Sequence, residues 1–232
     1  MSTRARSLLL AGGLAAVLVV IGVIASLGGS DEGGASAEDA EKLAAAFEGV
    51  PQRGLVAGEP NAPVRVIEFG DMQCPFCAEF AEAVPQIVDE YVKPGRIRFE
   101  FQPLDFIGPD SNTLARLVAA ASLQNQAWPL IEVLFAKQGP ENSGYVSDEF
   151  LDEALSAVPD LDGERALSDL QSPEVEELLV QAQDLAEDLE VNSTPTFFVQ
   201  VGKGEPRPLR VSALDFESFA EALDPVLKRA EG

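Results

Sequence analysis

The sequence predicts an α/β domain that carries a helical insertion and follows an N-terminal transmembrane helix. Three observations predict this class. Strand and helix patterns alternate at both ends of the domain, a run of consecutive helical patterns separates the two halves, and 20 uncharged residues precede them. With 232 residues, 46% of them hydrophobic, the chain has enough apolar material for a core.

The apolar segment 8–27 contains no charge and follows Arg4 and Arg6. As a helix it would reach about 30 Å, enough to cross a bilayer core. The flanking arginines place residues 1–7 in the cytoplasm and the rest of the chain outside. A cleaved signal peptide is the alternative, although its apolar region is normally about 7 to 15 residues long. Both interpretations export the domain, which is then periplasmic or extracellular.

Sixteen basic and 39 acidic residues give the chain a formal charge of −23, and the part after residue 27 carries −25. This charge repels phosphate backbones and argues against nucleic acid as a partner. The sequence contains no histidine, which excludes Ser-His-Asp and Cys-His nucleophile systems and histidine-ligated zinc or haem. We interpret the acidity as a well-solvated surface.

The first half of the domain follows a Gly-rich linker at 28–35 and a short helix predicted at 36–48. Its predicted elements are a buried strand at 64–69, a helix at 74–92 that Pro85 kinks, and an alternating strand at 96–102. Apolar residues recur at helical spacing after the second cysteine, so this helix should bury one face.

The middle of the chain is predicted to be helical. Asp110 or Ser111 can cap a first helix, Pro129 lies in the first turn of a second, Ser147 precedes a third, and Ser172 opens a longer one. The last predicted elements are strands at 196–201 and 209–211 and a helix at 215–229.

The only two cysteines form the motif Cys74-Pro75-Phe76-Cys77, between a predicted strand and a predicted helix. Pro75 fits the first helical position, so Cys74 lies at or next to the N-cap, where unpaired N–H groups and the helix dipole stabilise a thiolate. Cys77 lies one turn further on, on the apolar face. The pattern predicts an exposed, acidic sulfur and a shielded one, as disulfide exchange requires.

Competing interpretations are weaker. A structural zinc site needs four ligands, and this chain offers two thiols and no imidazole. Haem attachment would need histidine where Ala78 stands. A structural disulfide across two residues would constrain little of the unfolded chain. We therefore predict no metal and no cofactor beyond a redox-active Cys74–Cys77 disulfide.

Together with Thr194 and Pro195, which precede a predicted strand, this motif resembles the DsbA-like thiol-disulfide oxidoreductases of the thioredoxin superfamily. The resemblance covers about residues 54–230, and its most specific stretches are NAPVRVIEFGDMQCPFCAEF and Thr194-Pro195-Thr196. It implies a thioredoxin-like core with a helical insertion. The resulting division is a cytoplasmic segment 1–7, an anchor or signal 8–27, a linker 28–53, core parts 54–109 and 191–232, and an insertion 110–190.

The resemblance also assigns roles to residues. Pro195 would be the family's cis-proline, facing the sulfurs and leaving the Thr194 backbone free to pair with a substrate peptide. Glu68 matches a buried acid that assists proton transfer in relatives; an ion-paired or sheet-edge glutamate is the alternative. Phe76 departs from the strongly oxidising members, which carry histidine there. The Phe76 side chain carries no charge that could stabilise the thiolate. Cys74 should therefore be less acidic, and the disulfide less oxidising, than in members with histidine at this position.

The resulting hypothesis is a membrane-tethered enzyme that introduces disulfides into unfolded exported proteins and is reoxidised by a membrane partner, quinone-linked as in the family. A reductase or isomerase would use the same residues and differ in potential. A binding module with an inert disulfide, anchored through segment 8–27, is a third possibility.

Overall fold

The structure, a computed structural model, describes residues 43–230. The apolar segment 8–27 and the linker at 28–35 lie outside these residues. Within the part that is described, no helix is both long and apolar enough to cross a membrane.

The core is a six-stranded mixed sheet in which β3 and β4 lie side by side at the centre. The strands are β1 (Gln52–Arg53), β2 (Val56–Ala57), β3 (Val64–Asp71), β4 (Ile97–Leu104), β5 (Thr196–Val201) and β6 (Arg207–Pro208), in spatial order β1-β2-β4-β3-β5-β6. Strand β3 pairs parallel with β4 and antiparallel with β5. Strands therefore occur where they were predicted at 64–69 and 96–102, and the structure shows that the two are neighbours in the sheet.

The two faces of β3 enter different parts of the core, because successive side chains of a strand point to opposite sides. Val64 and Val66 belong to the large cluster that also holds most of the helical core residues. Ile67 and Phe69 belong to a smaller cluster with Ala186. Even-numbered positions of β3 therefore face the large cluster.

Between residue 75 and residue 230 the chain forms nine helical segments. They are α1 (Pro75–Ala81), α2 (Val84–Ile87), a π-helical turn (Val88–Val92), α3 (Pro109–Ser122), α4 (Ala127–Ala136), α5 (Asp148–Ser156), α6 (Gly163–Asp169), α7 (Pro173–Asp188) and α8 (Phe216–Ala230). The chain is also helical at 43–45, at the end of the short helix predicted from 36 to 48.

The segment expected to be one kinked helix over 74–92 is divided into three pieces. Helix α1 ends at Ala81, and Pro85 lies in the first turn of α2. Proline has no N–H to donate and its ring clashes with the carbonyl four residues earlier, so the helix stops before it. The apolar positions are nevertheless buried as predicted, Phe80 and Ile87 among them.

In the insertion, Ser147 and Ser172 cap their helices, accepting from the N–H groups of Phe150 and Val175. The predicted caps Asp110 and Ser111 are wrong, because Gly108 is the N-cap and Pro109 opens α3. Helix α6 was not predicted; its N-cap is Asp162.

The end of the chain differs from prediction in one strand. Strand β6 covers Arg207–Pro208 instead of 209–211, because the pairing with β5 opposes Pro208 to Phe198. Helix α8 matches the predicted 215–229 closely and places Phe219 against Phe80 and Phe197, with ring centroids 5.7 and 6.2 Å away. The core thus continues from α8 to the helix that begins beside the two cysteines.

Candidate active site

The two cysteines lie where β3 runs into α1. Cys74 is the N-cap of α1, with extended backbone (φ −72°, ψ 117°), and Pro75 follows in the first turn, as the sequence predicts. The Cys74 carbonyl accepts from the N–H groups of Cys77 and Ala78, at 3.1 and 3.2 Å. Both thiols are free in this structure.

Both cysteine residues are largely buried. Cys77 is 0% exposed and Cys74 5%, so the expectation of an exposed sulfur at Cys74 is wrong in degree, although Cys74 is the more accessible of the two. The Thr194 carbonyl, which accepts a hydrogen bond from Cys74 Sγ at 3.3 Å, contributes to this cover. Phe76, between the cysteines, is 59% exposed and presents its ring to solvent.

The loop before β5 brings Thr194 and Pro195 to the cysteines across 120 positions of sequence. The Thr194–Pro195 peptide bond is cis. Strand β5 begins at Thr196 and pairs with β3, which ends just before the cysteine turn. The sheet therefore sets the distance between this loop and the start of α1.

The Cys74 thiol is acidic, with its pKa lowered from 9.0 to about 6. A hydrogen bond from the Cys77 thiol is the largest cause, and the Thr194 side chain and the N–H groups of Cys77 and Phe76 act in the same direction. Burial opposes them, since it penalises the charged form. At neutral pH the thiolate is therefore the major form.

Cys77 has the opposite properties. Burial raises the pKa of its thiol well above 9.0, and the hydrogen bond to Cys74 and the charges of Glu68 and Cys74 act in the same direction. One sulfur is thus a ready nucleophile and leaving group at neutral pH, whereas its neighbour holds its proton.

Glu68 is buried on β3, on the strand face that carries Val66 and Gly70. Burial and the negative charge of Cys74 raise the pKa of the Glu68 carboxyl from 4.5 to about 8. Gly70 is the next position on this face, and a Cβ there would lie 3.7 Å from Cys77 Sγ. Because Glu68 precedes Gly70 by one step of the pleat, a protonated acid lies beneath the cysteine pair at neutral pH.

The turn between β3 and α1 is held by a polar network that the sequence patterns did not reveal. Buried Asp71 accepts hydrogen bonds from the N–H groups of Gln73 (2.8 Å) and Ile107 (3.0 Å) and from the Ser111 hydroxyl (2.6 Å). The Gln73 side chain donates to Ser111 Oγ at 3.1 Å and accepts from the Asn142 N–H at 2.8 Å. Asp71 and Gln73 flank Met72 just before the first cysteine, a polar pair in an otherwise apolar stretch that could have signalled this role.

The insertion also reaches the cysteine backbone directly. The Gln138 side chain, just beyond α4, donates to the Met72 carbonyl at 2.8 Å and to the Cys74 carbonyl at 3.1 Å. The Met72 carbonyl thereby gains a partner, and the Cys74 carbonyl gains a third donor beside the N–H groups of Cys77 and Ala78. The site is thus built jointly by the sheet, the loop before β5 and the insertion.

No group of three histidine, cysteine or acidic side chains that could hold a metal ion occurs in residues 43–230. The arrangement instead suits thiol–disulfide exchange: an acidic sulfur at a helix start, a second thiol within hydrogen-bond reach, and a neutral buried acid beneath them.

Comparison with known proteins agrees with this geometry. A family model described as Thioredoxin matches residues 51–224. The chain is 30% identical over 176 residues to "Probable disulfide bond formation protein D" of Bacillus anthracis, a match covering 74% of this chain and 77% of that protein.

Solved structures give the same picture. The fold is similar to the crystal structure of oxidised BdbD from Bacillus subtilis, with a TM-score of 0.62 and 25% identity, covering 77% of this chain and 97% of that one. It is also similar to alpha-DsbA1 of Wolbachia pipientis, with a TM-score of 0.61, 20% identity and coverage of 81% and 98%. At that identity the second likeness concerns the fold alone.

Proposed function

Because the chain belongs to the thioredoxin superfamily, as a DsbA-like thiol-disulfide oxidoreductase, we propose that it introduces disulfides into exported proteins through Cys74 and Cys77. The observation that carries the direction of the reaction is the acidity of Cys74. A low thiol pKa stabilises the reduced enzyme, and a stabilised reduced form makes the disulfide a better oxidant.

The first step opens the enzyme disulfide. A substrate thiolate attacks Cys74 Sγ, the Cys74–Cys77 bond breaks, and the Cys77 sulfur leaves with the electron pair. Glu68 gives its proton to that sulfur, so the products are a mixed disulfide at Cys74, a Cys77 thiol and a Glu68 carboxylate. The raised pKa of the Cys77 thiol supports protonation at this point.

The second step releases the product. A second substrate thiol passes its proton to the Glu68 carboxylate and attacks the substrate sulfur of the mixed disulfide, and Cys74 leaves as a thiolate. Two substrate thiols have then become a disulfide, and the enzyme has gained two electrons. The hydrogen bonds from Cys77, Thr194 and the backbone stabilise the departing Cys74 thiolate.

Thr194 and Pro195 are proposed to hold the substrate chain. The Thr194 carbonyl lies 3.3 Å from Cys74 Sγ, so an extended substrate bonded to that sulfur passes within reach of the Thr194 backbone. The exposed rings of Phe76 and Phe106 can pack against the apolar side chains that an unfolded chain exposes.

We also propose that the enzyme acts outside the cytoplasm, tethered through segment 8–27, and that a quinone-linked membrane reoxidase removes its two electrons. The predicted anchor and the oxidising compartment that it implies support this assignment. Fusing reporters to the chain after residue 35, one active only in the cytoplasm and one only outside, tests the orientation.

The test of the activity is oxidation of a reduced, unfolded protein by the purified, oxidised chain. We expect stoichiometric disulfide formation by the wild type and its complete loss in both Cys74→Ser and Cys77→Ser, because neither variant can form the Cys74–Cys77 disulfide that supplies the oxidation. Retention of activity in Cys74→Ser would refute the proposal. Equilibration with glutathione buffers separates the alternatives, because a potential as low as that of thioredoxin, about −270 mV, would favour a reductase.

A further inference from the structure

The proposed mechanism leaves one buried acid without a role, Glu132 on α4. Helix α4 is otherwise apolar, with the sequence AWPLIEVLFA. Glu132 is 0% exposed, and neither carboxyl oxygen has a hydrogen-bond partner. An unpaired acid in an apolar core costs stability, and an apolar side chain at this position would avoid that cost, so the carboxyl needs an explanation.

The ring contacts of its neighbours on α4 place Glu132 above the same sheet face as Glu68. Residues 128, 132 and 135 are spaced by four and three, so they share one face of α4. The ring of Trp128 lies 4.6 and 6.0 Å from the rings of Phe99 and Phe101, and Phe135 lies 6.3 Å from Phe101, all on β4. Glu132 is thus flanked by two residues that pack on Phe101.

Phe101 lies close to both Glu68 and the cysteine pair. In the parallel register of β3 and β4, Phe101 is the direct partner of Glu68. Its ring also fills the space over Gly70, where a Cβ would lie 2.6 Å from it and 3.7 Å from Cys77 Sγ. Glu132, Glu68 and Cys77 therefore surround one buried region of the β3–β4 face.

The titratable groups around this region are Glu68 on β3 and Cys74 and Cys77 on α1. Strand β4 contributes aromatic rings, and α3, which packs on α4, has apolar side chains such as Leu114 and Leu117 among its buried residues. On α5 the charged group near α4 is Glu153, which pairs with Lys137 at the exposed end of the helix, 2.9 Å away. Inside the region no cation among the described residues faces the two carboxyls.

We propose that Glu132 is a positioning residue for disulfide exchange. It forms a buried pair of carboxyl groups with Glu68. When Glu68 gives its proton to Cys77, the proton of Glu132 remains and is shared between the two carboxyl groups. The inference rests on the proposed function and extends it to a second acid. When Glu68 becomes a carboxylate, the unpaired Glu132 hydroxyl is available to donate to it, directly or through one water. No new bond or electron transfer is needed, and the second substrate thiol restores the Glu68 proton.

Two physical effects support the pairing. Burial raises the pKa of the Glu132 carboxyl well above 4.5, and the charge of Glu68 raises it further. An ionised Glu68 therefore favours the neutral form of Glu132, and the two acids titrate as a coupled pair. A neutral acid beside a new carboxylate stabilises that carboxylate strongly in a buried site, where the effective dielectric is low.

The test follows the Glu68 carboxyl by ¹³C NMR in the reduced, full-length chain, labelled at glutamate, across a pH titration. The variants are Glu132→Leu, Glu132→Gln and, as a matched control in the same buried helix, Ile131→Val. We expect Glu132→Leu to raise the Glu68 midpoint by about one pH unit, a tenfold change in its protonation ratio. Glu132→Gln, whose amide still donates, and Ile131→Val should leave the midpoint within a few tenths.

A second readout uses the pH profile of substrate oxidation in Glu68→Gln and in Glu68→Gln/Glu132→Gln. Glu132 can replace the lost acid, so the single variant should keep an alkaline limb that the double variant loses. An unchanged Glu68 midpoint in Glu132→Leu, a lowered midpoint in Glu132→Gln, or equal profiles in the single and double variants would overturn the role of Glu132. A chain that oxidises no substrate would instead overturn the proposed function, and the NMR titration would still test the pair.

Discussion

Replacing Phe76 by histidine should make the enzyme a stronger oxidant. Phe76 follows Pro75 in the first turn of α1, its N–H already helps to lower the pKa of Cys74, and its side chain is 59% exposed, so a new side chain fits without repacking. An imidazolium about 5 Å from the thiolate would stabilise it by about 0.8 kcal/mol in water and about 3 kcal/mol at an effective dielectric of about 20.

A half-exposed position lies between these limits, so we take about 1.4 kcal/mol, or one pKa unit. Lowering the pKa of Cys74 by one unit from about 6 increases the stabilisation of the reduced form at pH 7 by about 1.3 kcal/mol. For two electrons this raises the reduction potential by about 28 mV.

The assay has two parts: the thiolate absorbance of the reduced chain against pH, and equilibration of the dithiol and disulfide forms in glutathione buffers. Phe76→Asn is the matched control, since it is polar and uncharged. The pKa should fall and the potential should rise in Phe76→His alone. Equal shifts in both variants, or a lower potential in Phe76→His, would show that charge at this position does not control the couple.

Three further predictions concern stability. Because the pKa of Cys74 is lowered on folding, its contribution is present above the unfolded value of 9.0 and is lost as the pH falls through about 6. The reduced wild type should therefore lose about 2 kcal/mol relative to Cys74→Ser between pH 8 and 6 in urea titrations; parallel curves would contradict this. Gly70→Ala should destabilise the chain by about 1–3 kcal/mol, since its Cβ would lie 2.6 Å from the Phe101 ring, whereas the control Gly204→Ala meets its nearest atom at 3.3 Å. Asp71→Asn should lower the free energy of unfolding by about 2–3 kcal/mol in the same assay, because the amide nitrogen must face one of the three donors that the carboxylate accepts from. Asp105→Asn, at an exposed site, is the control. A loss in Asp71→Asn as small as that in the control would refute the role of the network.

Local rules made the cysteine site predictable from the sequence. Proline at a first helical turn and a thiol at the N-cap depend on a few adjacent residues, and both were found where the pattern placed them. The central strands were equally accessible, because β3 and β4 carry long apolar patterns that are buried as expected. In contrast, β1 and β2 have two residues each, too few to show any periodicity.

Such local patterns do not predict contacts between distant parts of the chain. Asp71 and Ser111 are 40 positions apart, and the Gln138 side chain meets the Cys74 carbonyl across 64. Glu132 shows the same limit, since the apolar pattern around it indicates only a buried helix. Its nearness to Glu68 follows from the packing of Trp128 and Phe135 on β4.

The network around Asp71 has a consequence for how this protein can be altered. Hydrogen bonds from Ser111, Gln138 and Asn142 tie the insertion to the turn that carries Cys74. The insertion is therefore not an interchangeable module: deleting it, or grafting one that lacks these side chains, would remove the Ser111 donor of the Asp71 carboxylate and the Gln138 donor of the Met72 and Cys74 carbonyls. A transplant between such enzymes would have to move the turn and its partners from the insertion together.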